Sequence, residues 1–124
     1  MNSQLIQNMF SIYLVLAIGY NLISLVLVAK TGKSAAPTDP MTGIMFMSLL
    51  YVVYAVGAQI SNWLYLFFIS SFAVLILSFG IIKHLINYQE SMYFSRFSWL
   101  SAITINIFGV CVLILIIVRA IFWT

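Results

Sequence analysis

Four apolar stretches, each about twenty residues long, alternate with shorter polar connections along the chain. They run approximately over Leu5–Ala29, Met41–Ile60, Trp63–Ile82 and Trp99–Phe122. Twenty helical residues rise about 30 Å, which matches the hydrocarbon core of a bilayer. The pattern therefore predicts an all-α integral membrane protein, with four transmembrane helices arranged as two hairpins in a single domain over residues 1–124.

Composition supports a membrane protein over a soluble one. The chain is 65% hydrophobic and only 6% charged, whereas soluble domains carry about a quarter charged residues. So few charges cannot cover a soluble surface, and lipid must cover most of it. The net charge of +3 is not dense enough for a nucleic-acid partner. We expect an integral protein of a prokaryotic plasma (inner) membrane.

The placement of charge predicts the topology. Lys30 and Lys33 lie in the first connection, Lys83 and Arg96 lie in the third, and the second connection carries no charge. Positively charged connections stay on the cytoplasmic side, so both termini are expected outside. Arg119 lies near the outer end of the fourth helix, where its long side chain can reach the lipid headgroups.

Reactive side chains are scarce. The acids are Asp39 and Glu90, the only histidine is His84 and the only cysteine is Cys111. We interpret Asp39 as the N-cap of the second helix and His84 as a solvated helix-end residue. The acids, histidine and cysteine are too few and too scattered for a metal site. We therefore expect no enzymatic activity and no cofactor of the chain's own, while bound lipid is expected.

Polar and small residues recur at helical spacing on one face of the first helix and one face of the fourth. The first face comprises Tyr13, Ala17, Tyr20, Asn21 and Ser24, and the second comprises Ser98, Ala102, Asn106, Gly109 and Leu113. An unpartnered amide in hydrocarbon costs several kcal/mol. Both faces are therefore expected to point at protein or water.

Depth along the helices predicts one interhelical polar layer in the cytoplasmic third of the bundle. Its members are Asn21, Ser24, Ser48, Ser78 and Asn106. Asn21 and Asn106 are expected to approach each other directly, through Ser48 or Ser78, or through water. The layer is interpreted as hydrogen bonds between helices; a binding site, a wet pore lining or contact with another subunit are the alternatives.

Bulky apolar residues form two further predicted faces, both expected to point outward to lipid or a partner. They are Phe67, Phe68, Phe72 and Leu75 on the third helix, and Phe46, Met47, Leu50 and Tyr54 on the second. Tyr88, Tyr93 and Trp99 are expected to anchor the inner interface. The connection from Lys83 to Ser98 is expected to extend the third helix, with a turn near Ser91–Ser95.

These features favour a non-catalytic accessory or structural subunit of a larger membrane complex of the respiratory, photosynthetic, monooxygenase or transport type. Such a subunit stabilises neighbouring membrane subunits by helix packing. The alternative is a small homo-oligomeric channel, holin-like pore or transporter for a neutral solute. A weaker third hypothesis is a regulator or immunity-type membrane protein that acts through the connection at residues 83–98.

Overall fold

The computed structural model describes residues 2–123, the side chain of residue 58 excepted, and every regular element in this range is helical. The helices are α1 (Ser3–Thr31), α2 (Pro40–Val56), α3 (Asn62–Ile86) and α4 (Arg96–Phe122). Helices α1, α3 and α4 are long and apolar enough to cross a membrane, and α2 is a shorter apolar helix of 17 residues. The all-helical fold class is thus confirmed, and the second predicted helix ends earlier than expected.

Local chemistry explains where the helices begin and end. Asp39 accepts a hydrogen bond from the backbone of the third residue beyond it, and Pro40 occupies the first position of α2, where its fixed φ and missing N–H suit a helix start. Ser61 caps α3 and Ser95 caps α4 in the same way. Gly32 ends α1 at a φ of 74°, which a residue with a Cβ adopts only with strain.

The helices form a closed ring of four. Helix α1 contacts α2 and α4, and α3 contacts the same two helices, which is the arrangement of an up-down-up-down bundle. One end of the bundle, here called the loop end, holds the connections at residues 32–39 and 87–95. The other end, here called the terminal end, holds the first residue of α1, the turn between α2 and α3, and the last residue of α4.

A septum of tightly packed side chains fills the middle of the bundle. Its six members, each less than 2% exposed, are Phe10, Tyr13, Leu50, Ile69, Val112 and Leu113. The Tyr13 ring lies against Gly109, where an added Cβ would come within 2.3 Å of the ring. The predicted inward faces of α1 and α4 are therefore confirmed, since Ala17, Ser98, Ala102 and Gly109 are buried as well.

One predicted outward face is wrong. Met47 and Leu50 are buried, and Phe46 and Tyr54 are half-buried, so this side of α2 contributes to the core. On α3, the outward direction predicted for Phe72 is wrong too, since Phe72 is buried. Helix α2 is apolar on all sides, and hydropathy cannot then tell the inward face from the outward one. The outward direction predicted for Phe67 and Phe68 is confirmed by their exposure.

Both connections at the loop end are tied to the helices. The backbone N–H of Ala35 donates to Ser24 Oγ at 2.9 Å, and its carbonyl accepts from Ser98 Oγ at 2.8 Å and from the Phe94 N–H at 3.3 Å. The predicted extension of α3 is confirmed as far as Ile86. The turn begins earlier than expected and includes a 3₁₀ turn at Glu90–Met92.

Candidate functional site

A cavity of about 370 Å³ lies at the loop end, with walls from all four helices. We call it the loop-end cavity. Most of its lining is apolar, as is usual for ligand pockets, and a few polar groups converge on it. The polar residues that line it are Tyr20, Asn21, Thr38, Asp39, Thr42, His84 and Asn106.

Asn21 lies on one wall, where α1 meets α2. Its Nδ2 donates to the Ala17 carbonyl of the same helix at 2.9 Å. The amide packs directly on Gly43 of α2, where an added Cβ would lie 2.5 Å from Oδ1. Glycine at this position is therefore what lets the amide fit between the two helices.

Asn106 forms the matching contact between α4 and α3. Its Nδ2 donates to the Gly80 carbonyl at 2.9 Å, and an added Cβ on Gly80 would lie 2.8 Å from the amide carbon. Gly80 belongs to Ile76–Ile82, a stretch of α3 with π-helical geometry. A side chain that enters the backbone ladder commonly distorts a helix, and π-helical turns are frequent at functional sites.

The structure brings part of the predicted polar layer together. Asn21 and Asn106 line the same cavity, each with its nitrogen bound to a backbone carbonyl. Ser24 is 2% exposed and holds the first connection. Ser48 is exposed and donates to Ile44 of its own helix, and Ser78 is half-buried in the π-helical stretch. Depth along a helix does not fix the direction of a side chain, and serine can satisfy its hydroxyl on its own helix.

The interpretation of His84 as solvated is wrong. The residue is 5% exposed, and its Nδ1 is hydrogen-bonded to the Tyr93 hydroxyl at 2.5 Å. Trp99 Nε1 donates to the His84 carbonyl, and the Trp99 ring packs on Tyr88 with centroids 4.4 Å apart. Burial raises the pKa of Tyr93 above its ordinary value, and the neighbouring Tyr88 contributes a smaller increase. Tyr93 thus holds the ring of His84, and Trp99 holds its backbone carbonyl.

Asp39 is the one carboxylate in the lining of the loop-end cavity. The Thr42 hydroxyl and the Thr42 backbone N–H both donate hydrogen bonds to this carboxylate. Both lower its pKa, the hydroxyl more than the N–H. The side chain is fully exposed, so it stands at the mouth of the cavity. The N-cap predicted for Asp39 is confirmed, and its place in the same cavity lining as the two asparagines could not be read from the sequence.

Two lining residues, Gly43 and Gly80, were not among the predicted site residues, whereas Tyr20 lies on the predicted inward face of α1. Gly43 and Gly80 provide the surfaces on which the amides pack, and the Tyr20 hydroxyl donates to the Ser98 carbonyl at 2.9 Å. Small residues on membrane helices signal close packing, and that signal was available for both glycines. The π-helical stretch has no local sequence signal, because it accompanies a hydrogen bond from another helix.

A second cavity, of about 530 Å³, lies at the terminal end. We call it the terminal-end cavity. It is lined by Arg119 of α4 together with Gln7, Tyr54, Asn62 and Tyr65 from the other three helices. The septum separates it from the loop-end cavity, since Gln7 and Ala17 lie on α1 on either side of Tyr13, about 15 Å apart by helical rise.

The loop-end cavity offers hydrogen-bonding groups within an apolar wall. Over residues 2–123, no group of three or more histidine, cysteine or acidic side chains is placed to hold a metal ion. The arrangement of these groups within an apolar wall suits binding or packing. Comparisons of this chain with models of known protein families, with curated proteins and with solved structures find no match.

Proposed function

We propose that this protein is a non-catalytic accessory subunit of a larger integral membrane complex, of the respiratory, photosynthetic, monooxygenase or transport type. Its helices pack against neighbouring subunits and stabilise them. In this proposal all four helices cross a prokaryotic plasma membrane, and both termini lie outside. Lipid covers the surface that the neighbouring subunits leave free.

The observation that carries the proposal is the contrast between a sealed centre and an aromatic surface on α3. The septum closes the bundle between the two cavities with six side chains that are less than 2% exposed. On the outside of α3, Trp63 is 83% exposed and Phe67 is 64% exposed. Large aromatic side chains dominate the energetics of protein interfaces, so this face is the one we assign to a neighbouring subunit.

The orientation rests on the cations of the loop end. Lys30 lies in the last turn of α1 and Lys33 follows it in the connection at residues 32–39, while Lys83 and Arg96 lie on either side of the connection at residues 87–95. Hydrogen bonds join these two connections through Ala35, so they belong to the same side of the bundle. The excess of lysine and arginine there favours the cytoplasm.

Deletion of the gene in its native host provides the test. Gentle solubilisation of the membranes, followed by separation of intact complexes and mass spectrometry, should show the loss of one defined complex. Expression of the wild-type chain should restore it. The Trp63→Ala/Phe67→Ala double variant should restore it poorly, because the aromatic contacts on α3 are removed.

A matched control uses exposed residues of another helix. The Ile12→Ala/Val15→Ala double variant removes two exposed apolar side chains from α1 and should restore the complex as the wild type does. Equal restoration by both double variants would contradict the assignment of the α3 face. A wild-type chain that migrates alone, with every complex unchanged by the deletion, would contradict the proposal itself.

A second candidate function is transport of a small neutral solute, with a homo-oligomer to complete the path. The observation that favours it is the pair of cavities on opposite sides of one septum. The Tyr13 hydroxyl is buried within that septum and has no hydrogen-bond partner among residues 2–123. A polar group in such a position is a natural step for a solute or water between the two cavities.

Proteoliposomes separate the two functions. An accessory subunit reconstituted alone should leave the vesicles as tight as protein-free vesicles to glycerol and urea. A transporter should accelerate their entry, and Tyr13→Ala should accelerate it further because it shortens the septum. Asn21→Leu should change the flux only if the loop-end cavity is part of the path. Flux through the wild-type protein would favour transport over the accessory role.

A further inference from the structure

The terminal-end cavity holds a cation that lacks a negative partner within residues 2–123. Arg119 is half-buried and lines the cavity. The sequence has two acidic side chains, Asp39 and Glu90, and both belong to the loop end. The length of α2 alone separates the two ends by about 25 Å, which exceeds the range of effective charge pairing.

The groups around Arg119 are neutral hydrogen-bond donors. Tyr54 and Tyr65 line the same cavity as the Arg119 guanidinium. Gln7 and Asn62 contribute amide groups to the same lining. A guanidinium with phenol and amide donors around it is the set that proteins use for phosphate oxygens, because arginine binds them bidentately.

The position of Arg119 at the end of α4 indicates that the phosphate belongs to a lipid. Arg119 lies in the last turn of α4, four residues before Trp123, and tryptophan is enriched at the level of lipid headgroups. Cations at this level attract anionic lipids. The cavity volume of about 530 Å³ is in the range of small-molecule sites, and it can admit a headgroup.

We infer that the terminal-end cavity is a binding site for the phosphate-bearing headgroup of an anionic phospholipid, with Arg119 as its charged ligand. The inference rests on the membrane placement given under the proposed function, and it is independent of any partner subunit. Bound lipid would supply negative charge next to Arg119, which no residue among 2–123 lining this cavity provides. The carbonyls at the end of α4 also favour a cation there, so Arg119 could serve only to stabilise the helix end. The phenol and amide donors around Arg119 are not needed for that role, and they favour phosphate binding instead.

Native mass spectrometry of the purified full-length chain in neutral detergent tests the inference. Phosphatidylglycerol, phosphatidylcholine and diacylglycerol with the same acyl chains are added at equal concentration. We expect one tightly held phosphatidylglycerol, weaker retention of phosphatidylcholine, and none of diacylglycerol. Arg119→Gln should weaken phosphatidylglycerol retention about ten- to a hundredfold, the loss expected for a charge-assisted hydrogen bond.

Arg96→Gln is the charge-matched control, because Arg96 is exposed at the loop end. It should retain the lipid as the wild type does, and equal loss in both arginine variants would overturn the site. Millimolar inorganic phosphate provides the other arm. Displacement of the lipid by free phosphate would show that the site takes a soluble anion and would overturn the lipid assignment.

A milder variant guards against a failure of Arg119→Gln to fold. Tyr54→Phe/Tyr65→Phe keeps both rings and removes only the hydroxyl donors, and it should bind phosphatidylglycerol several-fold more weakly. The gain in melting temperature on adding phosphatidylglycerol should shrink in parallel. Unchanged retention and an unchanged thermal gain in this double variant would overturn the donor set. These outcomes do not depend on a partner complex. Failure of the lipid test would therefore leave the proposed accessory function unaffected.

Discussion

The two ends of the bundle differ in how their polar groups are paired. At the loop end, polar groups bind one another across different elements, as in the pairs Ser98–Ala35, His84–Tyr93 and Asn106–Gly80. At the terminal end, Arg119 and the tyrosines around it share a cavity with no carboxylate in its lining. Much of the loop end is therefore held together by bonds within the chain, although the buried Tyr88 hydroxyl there has no hydrogen-bond partner among residues 2–123. The lipid site proposed above lies at the terminal end.

The comparison also bears on function. Groups that satisfy one another rigidify a structure, because a buried polar group left unpaired is costly. Groups that remain unpaired in a cavity are available to a ligand. The hydrogen bonds at the loop end thus stabilise the fold, whereas the terminal end holds the groups assigned above to the proposed headgroup site.

The largest expected effect comes from the septum that separates the two ends. Gly109→Ala would place a Cβ within 2.3 Å of the buried Tyr13 ring. Overpacking of a tight core costs about 1–3 kcal/mol, and we expect the upper part of that range here. Unfolding in mixed micelles, titrated with dodecyl sulfate and followed by circular dichroism, measures the loss.

Gly19→Ala is the matched control on a neighbouring helix. No atom lies within 4 Å of the position that its Cβ would take, and alanine favours a helix over glycine. The substitution should leave stability unchanged or raise it slightly. Equal destabilisation by the two glycine variants would show that the septum is not packed as described.

Helix content and packing faces differ in how well the sequence predicts them. Alternation of apolar and polar stretches located all four helices, and the cap at Asp39 was readable because capping is local. The inward face of α1 was predicted from Tyr13 and Ala17. The inward face of α2 was not, because a helix that is apolar on all sides carries no directional signal.

The candidate site divides in the same way. Asn21 and Asn106 were recognised because amides at membrane depth need partners. Their actual surfaces, Gly43 and Gly80, depend on which helices are neighbours, and the buried state of His84 depends on Tyr93 from the next connection. Contacts between distant parts of the chain leave no local pattern, and for that reason they could not be predicted from the sequence.

The next prediction compares one tyrosine from each end. Tyr93→Phe removes the hydroxyl that binds His84 and leaves a buried imidazole nitrogen unpaired, which should cost about 2 kcal/mol of unfolding free energy. Tyr65→Phe, measured without added lipid, should cost much less, because the Tyr65 hydroxyl makes no hydrogen bond within residues 2–123. The same micelle titration measures both variants, and a larger loss for Tyr65→Phe would reverse the comparison.

A smaller effect is expected at the hydrogen bonds that hold the two connections together. Ser98→Ala removes the donor to the Ala35 carbonyl and should cost about 1 kcal/mol. Hydrogen exchange should accelerate at the Ala35 and Phe94 amides. Ser71→Ala is the control, because Ser71 bonds only to its own helix, and its effect should be within experimental error. Unchanged exchange at Ala35 would show that Ser98 does not hold the connection.

The smallest expected effect is a pH dependence confined to the loop end. Hydrogen bonds from Thr42 lower the pKa of Asp39 below its ordinary value of 3.8 in the folded protein. A carboxylate with a lowered folded pKa stabilises the fold above its unfolded pKa, and this contribution is lost as the pH falls through the folded value. The start of α2 should therefore be unaffected between about pH 5 and pH 8 and should loosen below about pH 4.

Hydrogen exchange at the Thr42 amide measures this loosening, with the rate corrected for its intrinsic dependence on pH. Asp39→Asn retains an N-cap but has no charge to lose, so the loosening should disappear in that variant. If the same loosening appeared at the start of α3, where Ser61 caps the helix without a titratable group, its cause would be general acid unfolding and the role assigned to Asp39 would be wrong.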